Sequence, residues 1–369
     1  MSGIFWPASY PLALMNQRPL KRPTLHDVAK KAGVAVSTVS GILNNRSDSW
    51  CSQQTRERVL AAAQTLDYRP NLMARALRLS RFQAATLVVP DLTNPLFALL
   101  ARSIQRAMEQ SGYELLIEDT EESLDREKKI LNEVGSHNTD GLIFVPSGDL
   151  SQIAARLHEI SRTFPVVQFG PAMPDTRIDT VEADFSKSQR EAIDHLVGLG
   201  HRSIGYVDSL VDSFDGIHRV AIFREQLRQA GMVVDEKNLI RCRHNAADVR
   251  VATARWASQT RPGERATAFL CTNDLTALGS IRGFLDAGLT VPEDFSVVGF
   301  DDIPLASYFP HPLTTIAQPV AEVAAAASRT LIDRIVGKLQ GPATHQVFYT
   351  SLIMRETTAP PAVPDARRA

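Results

Sequence analysis

Between residues 83 and 355, short runs rich in Val, Ile, Leu and Phe alternate with amphipathic stretches. No other feature restricts the fold of this chain so tightly. The runs are ATLVVPD, YELLIEDT, DGLIFVP, PVVQFG, RSIGYVDS, TAFLCTND and FSVVGFDD, each of a length and composition suited to a strand buried on both faces. Between most of them lie helical stretches, at 96–110, 186–199, 216–230 and 275–287. Such alternation predicts an α/β fold: parallel sheets covered by helices, with ligands taken at the carboxyl ends of the strands. The span exceeds what one such sheet accommodates, so two Rossmann-like lobes are expected.

A different pattern precedes it. Thr24 followed by Asp27 has the spacing of a helix-capping box. Leu25, Val28 and Ala29 then share one helical face, and Ala32-Gly33-Val34 supplies a turn in which Gly accepts a left-handed backbone. A second helix from 36 to 44 turns Val39, Ile42 and Leu43 inward and leaves Val36, Ser37, Ser40 and Gly41 to approach base edges. Ser52-Gln53-Gln54-Thr55 opens a third helix with Val59, Ala63 and Leu66 at core spacing, ended by Asp67-Tyr68-Arg69-Pro70. From Met15 to Phe82 twelve Lys and Arg stand against four acids, a net +8. The total is −1, and residues 1–14 carry no charge, so residues 83–369 hold −9. A basic head on an acidic body is what contact with phosphates at one end requires. The sequence thus predicts a helix-turn-helix over 23–70, preceded by a disordered arm over 1–22 in which Met1 or Met15 is the start.

The signature T-L-x-D-V-A-x-x-A-G-V-x-x-S-T-V-S-x-x-L-N, then T-R-E-R-V, then Y-R-P-N-x-x-A-R-x-L-R, closely resembles the lactose-repressor (LacI/GalR) family of transcriptional regulators. The resemblance implies a recognition helix in the major groove and a hinge, here 71–82, that folds on DNA and wedges a leucine into the minor groove. By position the wedge is Leu77, and further DNA contacts fall on Thr24, Leu25, Thr38, Asn44, Tyr68, Asn71 and Ala74. Three positions depart from the pattern. Ala35 replaces a capping Ser, Gly41 replaces a long side chain, and the loop RSDSWCS is longer than in the lactose repressor. Readout is therefore expected to lean on Val36, Ser37 and backbone contacts.

The resemblance extends to residues 83–355, which it makes an effector-binding and dimerisation domain like the periplasmic sugar-binding proteins. It implies three crossovers, placed near Phe169-Gly170, Ala317-Gln318 and Gly341. The first lobe then comprises 83–169 and 318–341, the second 170–317 and 342–355, with a tail over 356–369. Matching effector positions are Asp91, Asn94, Phe97, Phe169, Arg219, Asn273, Asp301 and Gln318. Asn94-Pro95 fits a helix cap as well as a pocket wall, Arg219 fits a surface ion pair as well as a ligand clamp, and Asp274 fits a cap best. Carboxylate, amide and guanidinium beside aromatics suit sugar hydroxyls, and would also accommodate purines or organic acids.

Other classes find less support. HExxH, GxSxG, a P-loop and GxGxxG are all missing, so neither an enzyme nor a bound cofactor or metal is expected. Cys51, Cys242 and Cys271 are far apart and odd in number, which fits a reducing cytoplasm. No apolar run spans a bilayer, and the N-terminus lacks a basic region ahead of an apolar one, which counts against an exported solute-binding protein. The C-terminus TAPPAVPDARRA has no leucine heptads. The expected protein is a cytoplasmic homodimer that binds a palindromic operator and a small effector, most simply a repressor of a catabolic operon, with an activator as the rival.

Overall fold

The computed structural model describes residues 23–43, 51–69, 81–136, 138–148, 150–173, 176–209, 214–242 and 245–362. The chain divides into two compact units, 1–82 and 83–369. In the first, three helices pack together: α1 (Leu25–Ala32), α2 (Val36–Leu43) and α3 (Gln53–Thr65). Thr24 starts α1 with a full capping box, in which the Asp27 carboxylate accepts from the Thr24 amide at 2.8 Å while the Asp27 amide donates to the Thr24 hydroxyl at 3.3 Å. Gly33 ends the helix at φ 64°, a conformation that costs other residues strain. Val28, Val39, Ile42, Val59 and Ala63 form the core, and Leu25, Leu66 and Tyr68 pack against it. The expected hinge residues Asn71, Ala74 and Leu77, and also Asn44, lie outside the described residues.

The second unit holds two six-stranded sheets. The first lobe contains β1 (Ala84–Val89), α4 (Pro95–Gln110), β2 (Glu114–Asp119), α5 (Leu124–Glu133), β3 (Leu142–Phe144), α6 (Ala154–Ser161), β4 (Val166–Phe169) and β5 (Asp179–Asp184). The second contains α7 (Ser186–Gly198), β6 (Ile204–Asp208), α8 (Phe214–Gln229), β7 (Leu239–Arg241), α9 (Ala246–Gln259), β8 (Ala268–Cys271), α10 (Asp274–Asp286), β9 (Ser296–Asp301) and β10 (Thr314–Ala317). The chain then returns as α11 (Val320–Ile335), which packs on the first lobe, and ends in β11 (His345–Tyr349) and β12 (Ser351–Ile353). Strand orders are β11-β5-β4-β3-β1-β2 and β12-β10-β9-β8-β6-β7. All pairs are parallel except β10 with β12. Helices cover both faces of each sheet, so β1, β8 and β9 are buried along their whole length.

Two crossovers differ from the expected places. The chain leaves the first sheet only after β5, at Asp184-Phe185 rather than Phe169-Gly170. It makes its last passage at Thr350 rather than Gly341, because β11 and β12 join different sheets. The acids in DTVEAD hide β5 from a hydrophobicity reading, yet Asp179 is almost fully buried. It is held by Arg334 through two 2.8 Å contacts and by the Thr344 amide and hydroxyl at 2.7 and 2.8 Å. The run HQVFYTSLIMRET is split by Thr350 into β11 and β12. There the amide and hydroxyl of Thr350 donate to the Asp184 carbonyl, binding the first and last crossovers to one another.

Candidate effector site and DNA-binding face

The carboxyl ends of both sheets open onto one cavity of about 260 Å³ between the two lobes. From the first lobe it takes Asn94 and Phe97 at the start of α4, Val145 and Pro146 after β3, Phe169 at the end of β4 and Val181 on β5. From the second come Phe185 just before α7, His218 and Arg219 on α8, Asn273 before α10, and Phe300 and Asp301 on β9, with Gln318 on the middle crossover. Seven of the eight expected effector residues thus line one space. Asp91 does not: its carboxylate accepts from the amide and hydroxyl of Thr93, both at 2.7 Å, and shapes the turn before α4. An acid with donors two residues away folds back on its own loop.

Arg219 is the dominant group. Its Nη1 donates to the Thr272 carbonyl at 2.8 Å, and its guanidinium lies 3.9 Å from the Phe300 ring centroid and 5.2 Å from that of Phe185. Its Nε is buried and has no hydrogen-bond partner. The rings hold the fork flat and shielded from water, which strengthens whatever that donor meets. Across from it the Gln318 amide donates to Asp301 at 2.7 Å. Asp301 and Asp302 have φ of 110° and 54°, unusual for side chains other than glycine. Arg355 fixes the second of them at 2.6 Å. Asn94 and Asn273 each cap a helix, accepting from the amides of Leu96 at 3.0 Å and Thr276 at 2.8 Å, so cap and pocket wall are one role rather than two.

Asp274 lies beneath this layer rather than in it. Fully buried, it accepts from the Ile303 amide at 2.8 Å and the Thr315 hydroxyl at 2.5 Å, joining α10 to the loop after β9 and to β10. Burial, then the charge of Asp301, push its carboxyl up to about 8. Lining residues not expected from the sequence include Glu122, Ser147, Glu182, Phe185, His218 and Phe300. Phe300 directly precedes an expected residue, whereas Glu182 sits on a strand that the acid-rich sequence conceals.

On the first unit Val36, Ser37 and Thr24 are exposed, and Thr38, Ser40, Leu25 and Tyr68 are half-buried. Leu25 and Tyr68 pack against the three-helix core, and the Thr24 hydroxyl is engaged by Asp27. Gly41, expected to face outward, is buried. With no side chain to project, its backbone is covered by its neighbours. Lys30 and Lys31 are exposed at the last turn of α1, where cations complement the helix dipole. Among the described residues no cluster of His, Cys, Asp and Glu is placed to hold a metal, and no helix is long and apolar enough to cross a membrane.

Residues 24–71 match the model of the bacterial regulatory proteins of the lacI family, and residues 193–358 match a periplasmic binding protein-like domain. The chain is 31% identical over 340 residues to the HTH-type transcriptional regulator DegA of Bacillus subtilis, covering 92% of itself and 99% of that protein. This protein belongs to the LacI family. It is also 31% identical to the repressor PurR of Photobacterium profundum, over 85% of this chain and 92% of the relative. The lac repressor dimer, solved bound to operator and an anti-inducer, is 27% identical, with a TM-score of 0.80, 92% of this chain and all of that chain being covered. As a LacI-family member the protein is a helix-turn-helix transcriptional regulator with an effector-binding domain. Its relatives are regulators, not enzymes.

Proposed function

We propose that this regulator is a cytoplasmic repressor of a catabolic operon, bound as a dimer to a palindromic operator and controlled by a neutral small metabolite in the cavity between its lobes. The observation that carries the effector reading is Arg219: a half-buried guanidinium that lines the cavity, stacked on Phe300 and anchored through Nη1 to the Thr272 carbonyl. A guanidinium held in place at a cavity wall presents its planar fork of donors to acceptors on a ligand. Asn273, Asp301 and Gln318 supply further polar groups around it, and Phe97 and Phe169 an aromatic wall. Asn94 shapes the entry of α4 into that wall.

In this reading Val36, Ser37, Thr38 and Ser40 meet the major groove while Thr24, Leu25 and Tyr68 set the helix at the backbone. Asn44, Asn71, Ala74 and Leu77 complete the contact surface. Gly41 contributes only close backbone approach. Ligand between the lobes changes their angle and so the footing of the hinge, whose folding on DNA costs ordering entropy. A coupling of about 1–3 kcal/mol, or roughly 5–150-fold in operator affinity, is usual for such linkage.

Selection of bound DNA from a random library, with purified protein at fixed salt, tests the DNA half. A palindrome with a deformable central step is expected, and no enriched sequence in any metabolite condition overturns it. Arg219→Ala tests the other half: it abolishes the response to metabolite while operator affinity stays within about twofold. An unaltered response removes Arg219 from the site.

A further inference from the structure

The first turn of α2 carries a chemistry that most base edges cannot use. Ala35, Val36 and Ser37 are exposed there, while Thr38 and Ser40 are half-buried behind them. Val36 is 39% exposed and stands outside the three-helix core, the one large apolar side chain of α2 that is left exposed. From Val34 to Leu43 the chain reads VAVSTVSGIL, without a Lys, Arg, Asn or Gln. Gly41, further along the helix, is buried and has no side chain. Two exposed cations, Lys30 and Lys31, close the preceding helix.

We propose that Val36 selects thymine, its methyl groups packing on the C5 methyl of one thymine in each operator half-site. This rests on the reading of α2 as the helix that enters the major groove. There the base pairs offer hydrogen-bond donors and acceptors and a single apolar group, the thymine methyl. Val36 laid on a guanine or cytosine edge would strip water from polar atoms and give them no partner. Laid on the thymine methyl, it buries apolar surface on both sides. The Ser37 hydroxyl can donate or accept, so it tolerates either kind of edge and does not make the choice. Lys30 and Lys31 suit phosphates, which carry no sequence information. A bidentate grip on guanine takes Arg or Lys, and one on adenine takes Asn or Gln, so nothing on this turn competes with the methyl contact.

Deoxyuridine in place of thymidine removes that methyl and keeps every hydrogen-bonding atom of the base pair, which isolates the contact. The operator is first selected from random DNA with the full-length protein at fixed salt, and each of its thymines is then replaced in turn. At one position per half-site the replacement is expected to weaken binding about fourfold, and about fifteenfold when both half-sites carry it, the effect of one buried methyl each. Val36→Ser weakens binding to the parent operator and brings the thymine-to-uracil affinity ratio at that position to about one, because the contact has then lost both partners. Ser37→Ala leaves the ratio as it is in the parent. A half-site in which no thymine responds, or a response that persists in Val36→Ser, overturns the proposal and leaves the helix-turn-helix reading standing. Failure to enrich a palindrome in any metabolite condition overturns that reading and the proposal with it.

Discussion

Asp274 shows how one buried carboxyl ties the stability of the sensor to pH. Its pKa in the folded chain, about 8, lies above the value of about 3.9 that an unfolded chain gives it. The folded state therefore holds this proton more tightly than the unfolded one. Its stabilising contribution is complete below about pH 4 and is lost as pH climbs toward 8, at of order 1 kcal/mol per pH unit. Asp274→Asn keeps an acceptor for the Ile303 amide and removes the proton. Urea unfolding of this variant between pH 5 and 8 is expected to give a flatter stability profile than the parent, and an unchanged slope refutes the assignment. At this scale the sequence was legible where a side chain's partner is close in the chain, as for Asn273 and Thr276. It misled where a nearer partner intervened. Asp91 occupies an effector position by resemblance, yet Thr93 takes its carboxylate. Gly41 occupies a base-reading position by resemblance, yet it is buried and carries no side chain.

Among the elements, β5, β7 and β10 are absent from the strand runs read in the sequence, and for β5 the reason is electrostatic rather than conformational. A buried strand beginning with Asp reads as a loop unless its counter-ion is known, and Arg334 lies 155 residues further on. That guanidinium grips Asp179 through Nε and Nη2 and also donates to the carbonyls of Gly341 and Pro342. One side chain of α11 thereby fixes β5 and the approach to β11. Removing a partner from a buried pair strands the other charge, at a cost of about 3–5 kcal/mol. Arg334→Ala should lower the urea midpoint of the isolated protein accordingly. Arg334→Ala combined with Asp179→Asn should recover part of the loss, because no charge is then left unpaired. Equal instability of the single and double variants would argue that packing, not charge, is what Arg334 supplies. Strands with a Val/Ile/Leu run and no buried acid, such as β1, β8 and β9, were legible from composition because both their faces are covered.

At the level of the whole molecule, the two-lobed plan and the helix-turn-helix were legible, since βα alternation and a capping box are both local patterns. The crossover positions were not, because sheet membership is decided by pairing between distant segments. The hinge gives this scale its own prediction. Leu77→Ala should weaken binding to the selected operator by roughly tenfold or more while leaving the thermal unfolding of residues 83–369 unchanged. Unaltered operator affinity would dismiss Leu77 as the wedge. Thr350 has a consequence for how the protein is made. One residue separates β11 from β12, and each is the edge strand of a different sheet. A ribosome must reach residue 349 before the first sheet has its edge strand, and residue 353 before the second has its own. A premature stop ahead of residue 345 leaves two bare strand edges, on β5 and β10, each a template for pairing with another chain. Truncated products of this gene should therefore reach the cell as aggregates or protease substrates rather than as half-functional sensors.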